Sequence, residues 1–401
     1  MNRRAATVAL LTMALDASAA VVGYDVSASA TVAVRSPLPG DVSVGVTTDL
    51  QLDPVAEGSI RWPQTSLTLR YAPQLIIREP QVRARVLPLH HGVLTLSHRF
   101  TRASLLVSQD FSSGVADIGS LRLPAGARPT GVFEAQTLGA VPYLRSASQV
   151  VVDGRPNEFV SMFLSAVYLV SGDPTGGLDL PLQNGPLATG AVTLVLDRRF
   201  SLITSAQATQ AWFNTGAEQS ILLATESVEW RLARTTVLTL GVGAAYTREL
   251  VVPLVGGPLP GLFFETLPVA LASAESLVQV KGIPVQLLFG ARLAPFADRF
   301  TGLVYERLEG RASANARLTR ELTAEVSVGT GYAIDVGRSP QAGDSATFAE
   351  ASLRWDATRW FALVGTGRGV YIEQPRTMTP GQLLWSITLA AVARDRDTTS
   401  W

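Results

Sequence analysis

The chain has 401 residues, 33 basic and 33 acidic, with three histidines and no cysteine, and 47% of it is hydrophobic. Balanced, interspersed charge argues against nucleic-acid binding. The lack of cysteine excludes disulfides, thiolate metal sites and a lipidated N-terminal cysteine. No interior apolar run reaches the roughly 18 to 20 residues that a membrane helix needs; the nearest, Phe159 to Val170, is shorter and carries serines. Lys281 is the only lysine, which reads as compositional bias.

The N-terminus places Arg3 and Arg4 before an apolar stretch, Ala5 to Leu15, and the small residues Ala17, Ser18 and Ala19. That order is the signature of a secretory signal peptide. Residues 1–20 are therefore set apart, and 21–401 are read as one domain, since no linker or low-complexity tract divides them.

From there the chain alternates. Tyr24 to Arg35 and Asp41 to Leu52 read as the first two strands, with Pro37, Pro39 and Gly40 turning between them. A third, Gln64 to Ile77, ends or bulges at Pro73. Paired runs follow: Gly92 to Phe100 with Ala103 to Phe111, Arg145 to Val152 with Glu158 to Val170, and Ala191 to Arg198 with Ser201 to Phe213. Next come Ile221 to Leu232 with Val237 to Tyr246, Thr266 to Ser276 with Pro284 to Leu293, and Leu303 to Leu318 with Leu322 to Ile334. The hairpin from Ala346 to Ile372 turns at Asp356 to Arg359, and Gln382 to Ala393 is the last strand.

The total is about 18 strands, with 16 as the other even count that the boundaries leave open. Short links such as Thr101-Arg102 and Thr319-Arg320 alternate with long ones: Ser112 to Leu144, Gly172 to Pro186 and Val251 to Phe264. Such sorting is what a transmembrane antiparallel up-and-down β-barrel shows, with short turns on one side and longer loops on the other. The proline- and glycine-bearing Ser112 to Leu144 segment is expected to fold over or into the mouth.

With the more apolar face of each strand turned outward, Trp230, Trp355 and Trp360 lie near short turns, and Tyr246, Tyr332 and Tyr371 lie near long loops. Two aromatic girdles are expected from this. The opposite face carries Arg292, Arg307, Glu309, Arg311, Arg317, Glu325, Glu350, Arg354 and Arg368. A basic side chain facing hydrocarbon costs about 2 to 4 kcal/mol at mid-bilayer, so these are assigned to the lumen. With both signs present, an ion-pair ladder that holds the wall's shape is preferred to a charge filter.

Chemistry is sparse. His90 and His91 are expected in a loop and His98 in a strand, without metal-ligand spacing. No catalytic residue, metal or cofactor is assigned, and the chain is read as a non-enzyme. Gly365, Gly367 and Gly369 alternate within a strand without a following helix, which suits curvature or close packing rather than a phosphate loop.

The signal peptide, the even set of alternating strands, the girdles and the terminal Trp401 together resemble Gram-negative outer-membrane β-barrel proteins of the porin-like kind. The resemblance is architectural and spans the whole mature chain. It implies an outer-membrane location, contact with membrane lipid, insertion by the barrel assembly machinery, and often passive diffusion of small solutes. One departure is that Arg394 to Ser400 separates the last alternating run from Trp401, which points to an internal assembly signal and leaves the end of the final strand open. The preferred function is a porin-like channel or transporter for passive passage of small solutes, with the solute unassigned. The alternative is a structural, adhesive or assembly-platform barrel acting through its external loops or a partner. A soluble secreted all-β protein or a barrel enzyme is the third reading.

Overall fold

Alternation of period two puts successive side chains on opposite faces of a strand. The computed structural model describes residues 20–36, 46–78, 86–117, 140–176, 180–251, 261–297, 303–334, 345–374 and 379–400. Among them the chain forms β1 (Val21–Arg35), β2 (Thr47–Arg61), β3 (Thr65–Tyr71), β4 (Gln74–Arg78), β5 (Val86–Arg99), β6 (Ala103–Asp117), β7 (Ala140–Gly154), β8 (Val160–Gly172), β9 (Gln183–Val195) and β10 (Phe200–Phe213). It continues with β11 (Glu218–Ala233), β12 (Thr236–Val251), β13 (Gly261–Val280), β14 (Ile283–Ala297), β15 (Val304–Arg317), β16 (Leu322–Ile334), β17 (Ser345–Asp356), β18 (Phe361–Gln374) and β19 (Thr379–Ser400).

β3 and β4 are one wall strand interrupted at Ala72 and Pro73, each half pairing with its own part of β2 and β5. Proline has no amide to donate to the ladder, so pairing breaks there. The nineteen segments therefore fill eighteen positions in one antiparallel sheet. β1 pairs with β19 from Val21↔Ser400 to Arg35↔Ser386, which closes the sheet into a barrel. Closure pairs backbone groups that an open sheet would leave bare. No helix among the described residues is long and apolar enough to cross a membrane.

Both ends of the described chain and most of the short turns share one rim; the short turn 214–217 between β10 and β11 is at the other. Between β13 and β14, Lys281 and Gly282 both take positive φ, 49° and 83°, as a two-residue hairpin of the tightest kind requires. The longer connections lie at the other rim.

Several sequence expectations are corrected. The second strand does not end at Leu52 but runs on to Arg61, with Pro54 inside it, and residues 41–45 of the expected strand lie outside the described residues. The Ser112 to Leu144 link is shorter than expected because β6 runs to Asp117 and β7 starts at Ala140. Its remainder, with the expected folding over the mouth, lies outside the described residues, as do Trp401 and residues 1–19 of the expected signal peptide. His90 and His91 lie within β5, not in a loop. β19 does not end at Ala393, because β1 needs a partner along its whole length and Arg394 pairs with Asp25 across that seam. At Gly365 and Gly367 an added Cβ would meet nothing within 4 Å, so close packing is not what glycine supplies there.

Candidate functional site

Residues paired across strands share a face, so the register fixes which side chains stand together. The Glu249 carboxylate accepts a hydrogen bond from the Val304 amide at 3.1 Å, although β12 and β15 are separated in the wall by β13 and β14. Such a contact spans the concave side, and it marks the odd-numbered residues of both strands as inward. The opposite face is apolar and bare: Leu240, Val242, Tyr246, Leu308, Val326, Ile387 and Leu389 are all exposed. A continuous exposed apolar band encircling a closed wall is a surface made for lipid.

All six expected girdle residues are exposed, and Trp230, Tyr246, Tyr332, Trp355 and Tyr371 share the outer face by register, whereas Trp360 lies in a turn outside it. Trp230 stacks on Phe200 at 5.7 Å between ring centroids, beside the short turn joining β9 and β10. Trp355 ends β17 and Trp360 lies in the turn after it, under the Arg359 guanidinium at 4.3 Å. Tyr246, Tyr332 and Tyr371 lie toward the rim with the longer connections, where Tyr246 stacks on Phe264.

The nine expected lumen residues share the inward face. Arg292 stands opposite Glu309, and Asn315 stands between Gln286 and Glu325. Glu350 is opposite Ser327 and Arg368, and Arg354 is opposite Thr323. They form separate local groups rather than one ladder. Arg307, 2% exposed, pairs with Glu309 at 2.7 Å and lies 3.7 Å above the Phe296 ring. Arg368 pairs with Glu350 at 3.4 Å, and Arg354 with Asp356 at 2.8 Å. Arg317 donates to the Arg320 carbonyl in the following turn. Arg292 and Arg311 are exposed and have no ion pair with any described residue.

Two buried ionic clusters toward the long-connection rim were not expected. Asp49 forms ion pairs with Arg35 at 3.2 Å and Arg78 at 3.8 Å, and Arg35 also donates to the Thr47 hydroxyl. Asp110 lies 3.3 Å from His91 and 3.5 Å from Arg145. Nearby, Leu89, Ala116, Val141 and Tyr143 form an apolar cluster with Leu180, which belongs to the connection after β8. Strand parity extended through β1 to β7 would have flagged these residues; register and burial identify them directly. The other histidines face outward: His90 bonds to the Tyr71 hydroxyl, and His98 to the Thr65 hydroxyl against the Phe100 edge.

Around the wall the inner face changes character. On β8, β9 and β10 it carries no charged residue; Ser161, Ser165, Thr189, Thr193, Ser205, Gln207 and Thr209 stand there instead. Each remaining strand of the wall carries at least one inward guanidinium or carboxylate, those of β14 to β18 among them. Sequence reading also missed Glu226, which lies on the outer face between Thr204 and Val242 and accepts a hydrogen bond from the Thr204 hydroxyl at 2.9 Å.

The sequence matches the EpsX exopolysaccharide export family over residues 14–398. Among solved structures, OccAB3 of Acinetobacter baumannii is similar with a TM-score of 0.50 at 10% identity, covering 94% of this chain and 99% of that chain. A BenF-like porin from Pseudomonas fluorescens Pf-5 is similar with a TM-score of 0.50 at 7% identity, covering 94% and 99%. The outer membrane protein opdK of Pseudomonas aeruginosa gives 0.49 at 10% identity, covering 95% and 99%. No curated protein sequence matches this chain. The first two likenesses show the fold, which is that of Gram-negative outer-membrane porins.

Proposed function

Because the chain belongs to the EpsX exopolysaccharide export family, we propose that it is an outer-membrane conduit whose lumen passes saccharide chains or smaller polar solutes. The observation that carries this reading is a closed wall of eighteen strand positions with a hydroxyl-, amide- and charge-lined inner face. Eighteen strands enclose an aqueous lumen wide enough for hydrated solutes. Uncharged hydroxyl groups along β8 to β10 exchange hydrogen bonds with sugar hydroxyls as readily as with water, which favours passage over tight binding.

In this reading residues 1–20 are a signal peptide removed on secretion, and the barrel assembly machinery inserts residues 21–401 into the outer membrane. The nine inward residues on β14 to β18 line the passage, and the six exposed aromatics anchor the wall at the two interfaces. The test is ion conductance of the purified barrel in planar lipid bilayers, together with surface polysaccharide in a deletion strain. Discrete conductance steps and loss of surface polysaccharide are expected. A barrel that inserts without conducting, in cells whose surface polysaccharide is unchanged, overturns the conduit and returns the chain to the role of a structural platform.

A further inference from the structure

Midway along the inner wall, the rows Gly290–Arg311–Gly329–Phe348 and Ser313–Ser327–Glu350–Arg368 run side by side. Phe348 is half-buried on an otherwise polar stretch. A Cβ at Gly329 would overlap Cε1 and Cζ of Phe348, so the ring lies directly over the bare backbone of β16. Glycine at that position lets the aromatic face approach the wall. Two guanidiniums flank it: Arg368 lies 5.5 Å and Arg311 6.0 Å from the ring centroid. Glu350, two residues from Phe348, is engaged by Arg368, and Glu309, two residues from Arg311, by Arg307, whereas Arg311 is exposed and has no ion pair among the described residues.

We propose that Phe348, Arg311 and Arg368 form a subsite inside the lumen for a saccharide unit bearing a carboxylate. An aromatic face packs against the C–H face of a sugar ring. A guanidinium without an acidic partner supplies the charge-assisted, bidentate hydrogen bonds that a carboxylate takes best. Ser313 in the adjoining row adds a hydroxyl partner for the remaining sugar oxygens. A neutral sugar would use the ring but leave Arg311 unanswered, so the arrangement favours acidic over neutral chains. The proposal rests on the conduit reading, because it places the ligand inside the lumen.

The test is calorimetric titration of the detergent-solubilised full-length barrel with tetragalacturonate, and with maltotetraose as the neutral counterpart. Tetragalacturonate should bind about tenfold more tightly than maltotetraose, a difference of about 1.4 kcal/mol. Phe348→Ala and Arg311→Gln should each weaken tetragalacturonate binding by about tenfold, and Phe348→Trp should retain it. The heat-dependent gel shift of each variant reports whether its barrel has formed; Arg311→Gln changes only an exposed side chain and keeps the test open if Phe348→Ala fails to fold. Equal affinity for the two tetrasaccharides, no binding of tetragalacturonate, or unchanged affinity in folded Arg311→Gln overturns the subsite. Conductance without tetragalacturonate binding overturns the subsite alone, while binding without conductance overturns only the conduit.

Discussion

Replacing Asp49 with asparagine is expected to loosen the barrel near its seam. Asp49 on β2 holds Arg35 on β1 at 3.2 Å and Arg78 on β4 at 3.8 Å, and the three side chains are 4%, 10% and 5% exposed. At an effective dielectric of about 20, each charge contact carries about 4 to 5 kcal/mol of gross attraction. Desolvation offsets much of that while the cluster is intact. Once the anion is removed, the two buried guanidiniums lose the carboxylate that they share, and breaking a buried pair in this way costs about 3 to 5 kcal/mol. Asp49→Asn preserves shape and volume, so packing contributes little to the loss. We expect about 3 kcal/mol of destabilisation in urea unfolding of the barrel in detergent, followed by tryptophan fluorescence, at the low end of that range. Removing one repelling cation as well, in Asp49→Asn with Arg78→Gln, should recover most of the loss, and a double-mutant cycle measures that coupling. A loss below about 1 kcal/mol, the value of a solvated surface pair, would refute the reasoning by showing that water screens the cluster.

Three further outcomes follow from the same geometry. Glu226→Leu should raise the unfolding midpoint by about 1 kcal/mol equivalent, since a lipid-facing carboxylate costs something under the roughly 2 to 4 kcal/mol of a basic residue; a lower midpoint would mean that Glu226 does not face hydrocarbon. Gly114 has φ of 141°, and a Cβ there would overlap the Pro88 carbonyl oxygen, so Gly114→Ala should cost about 1 to 3 kcal/mol. Gly365→Ala, into open space, should be neutral or stabilise by up to about 1 kcal/mol in the same urea experiment, and equal effects at both positions would contradict the packing. Glu249→Ala removes the acceptor of the Val304 amide, and hydrogen exchange at that amide should speed up relative to its β15 neighbours; an unchanged rate would show that the bond does not hold the segment in place.

Strand alternation is a local property, and so the wall was legible early. The face shared by Arg307, Glu309, Arg311 and Arg317 is written into one run of residues, because the side-chain period of a strand is two. Proline at position 73 announced the break between β3 and β4 for an equally local reason, its missing amide. The end of β19 was not legible. Arg394 to Ser400 look like a polar tail by composition, and they are a strand because closure leaves β1 requiring a partner down to Val21. The histidines show the same limit, since β5 extends through His90 and His91 by pairing with β6 rather than by any alternation of its own.

Chain order and chemistry alone therefore settle which residues alternate, which face is apolar, and that the strands are too amphipathic to be helices. Register settles the rest. Asp49 meets Arg78 and Phe348 settles on Gly329 only once their strands pair in that register, and Glu249 reaches Val304 only because β12 and β15 face each other across the concave side. Such meetings depend on how many strands close the wall and by how much each is offset. Both quantities belong to the closed sheet as a whole, and no window of sequence contains them.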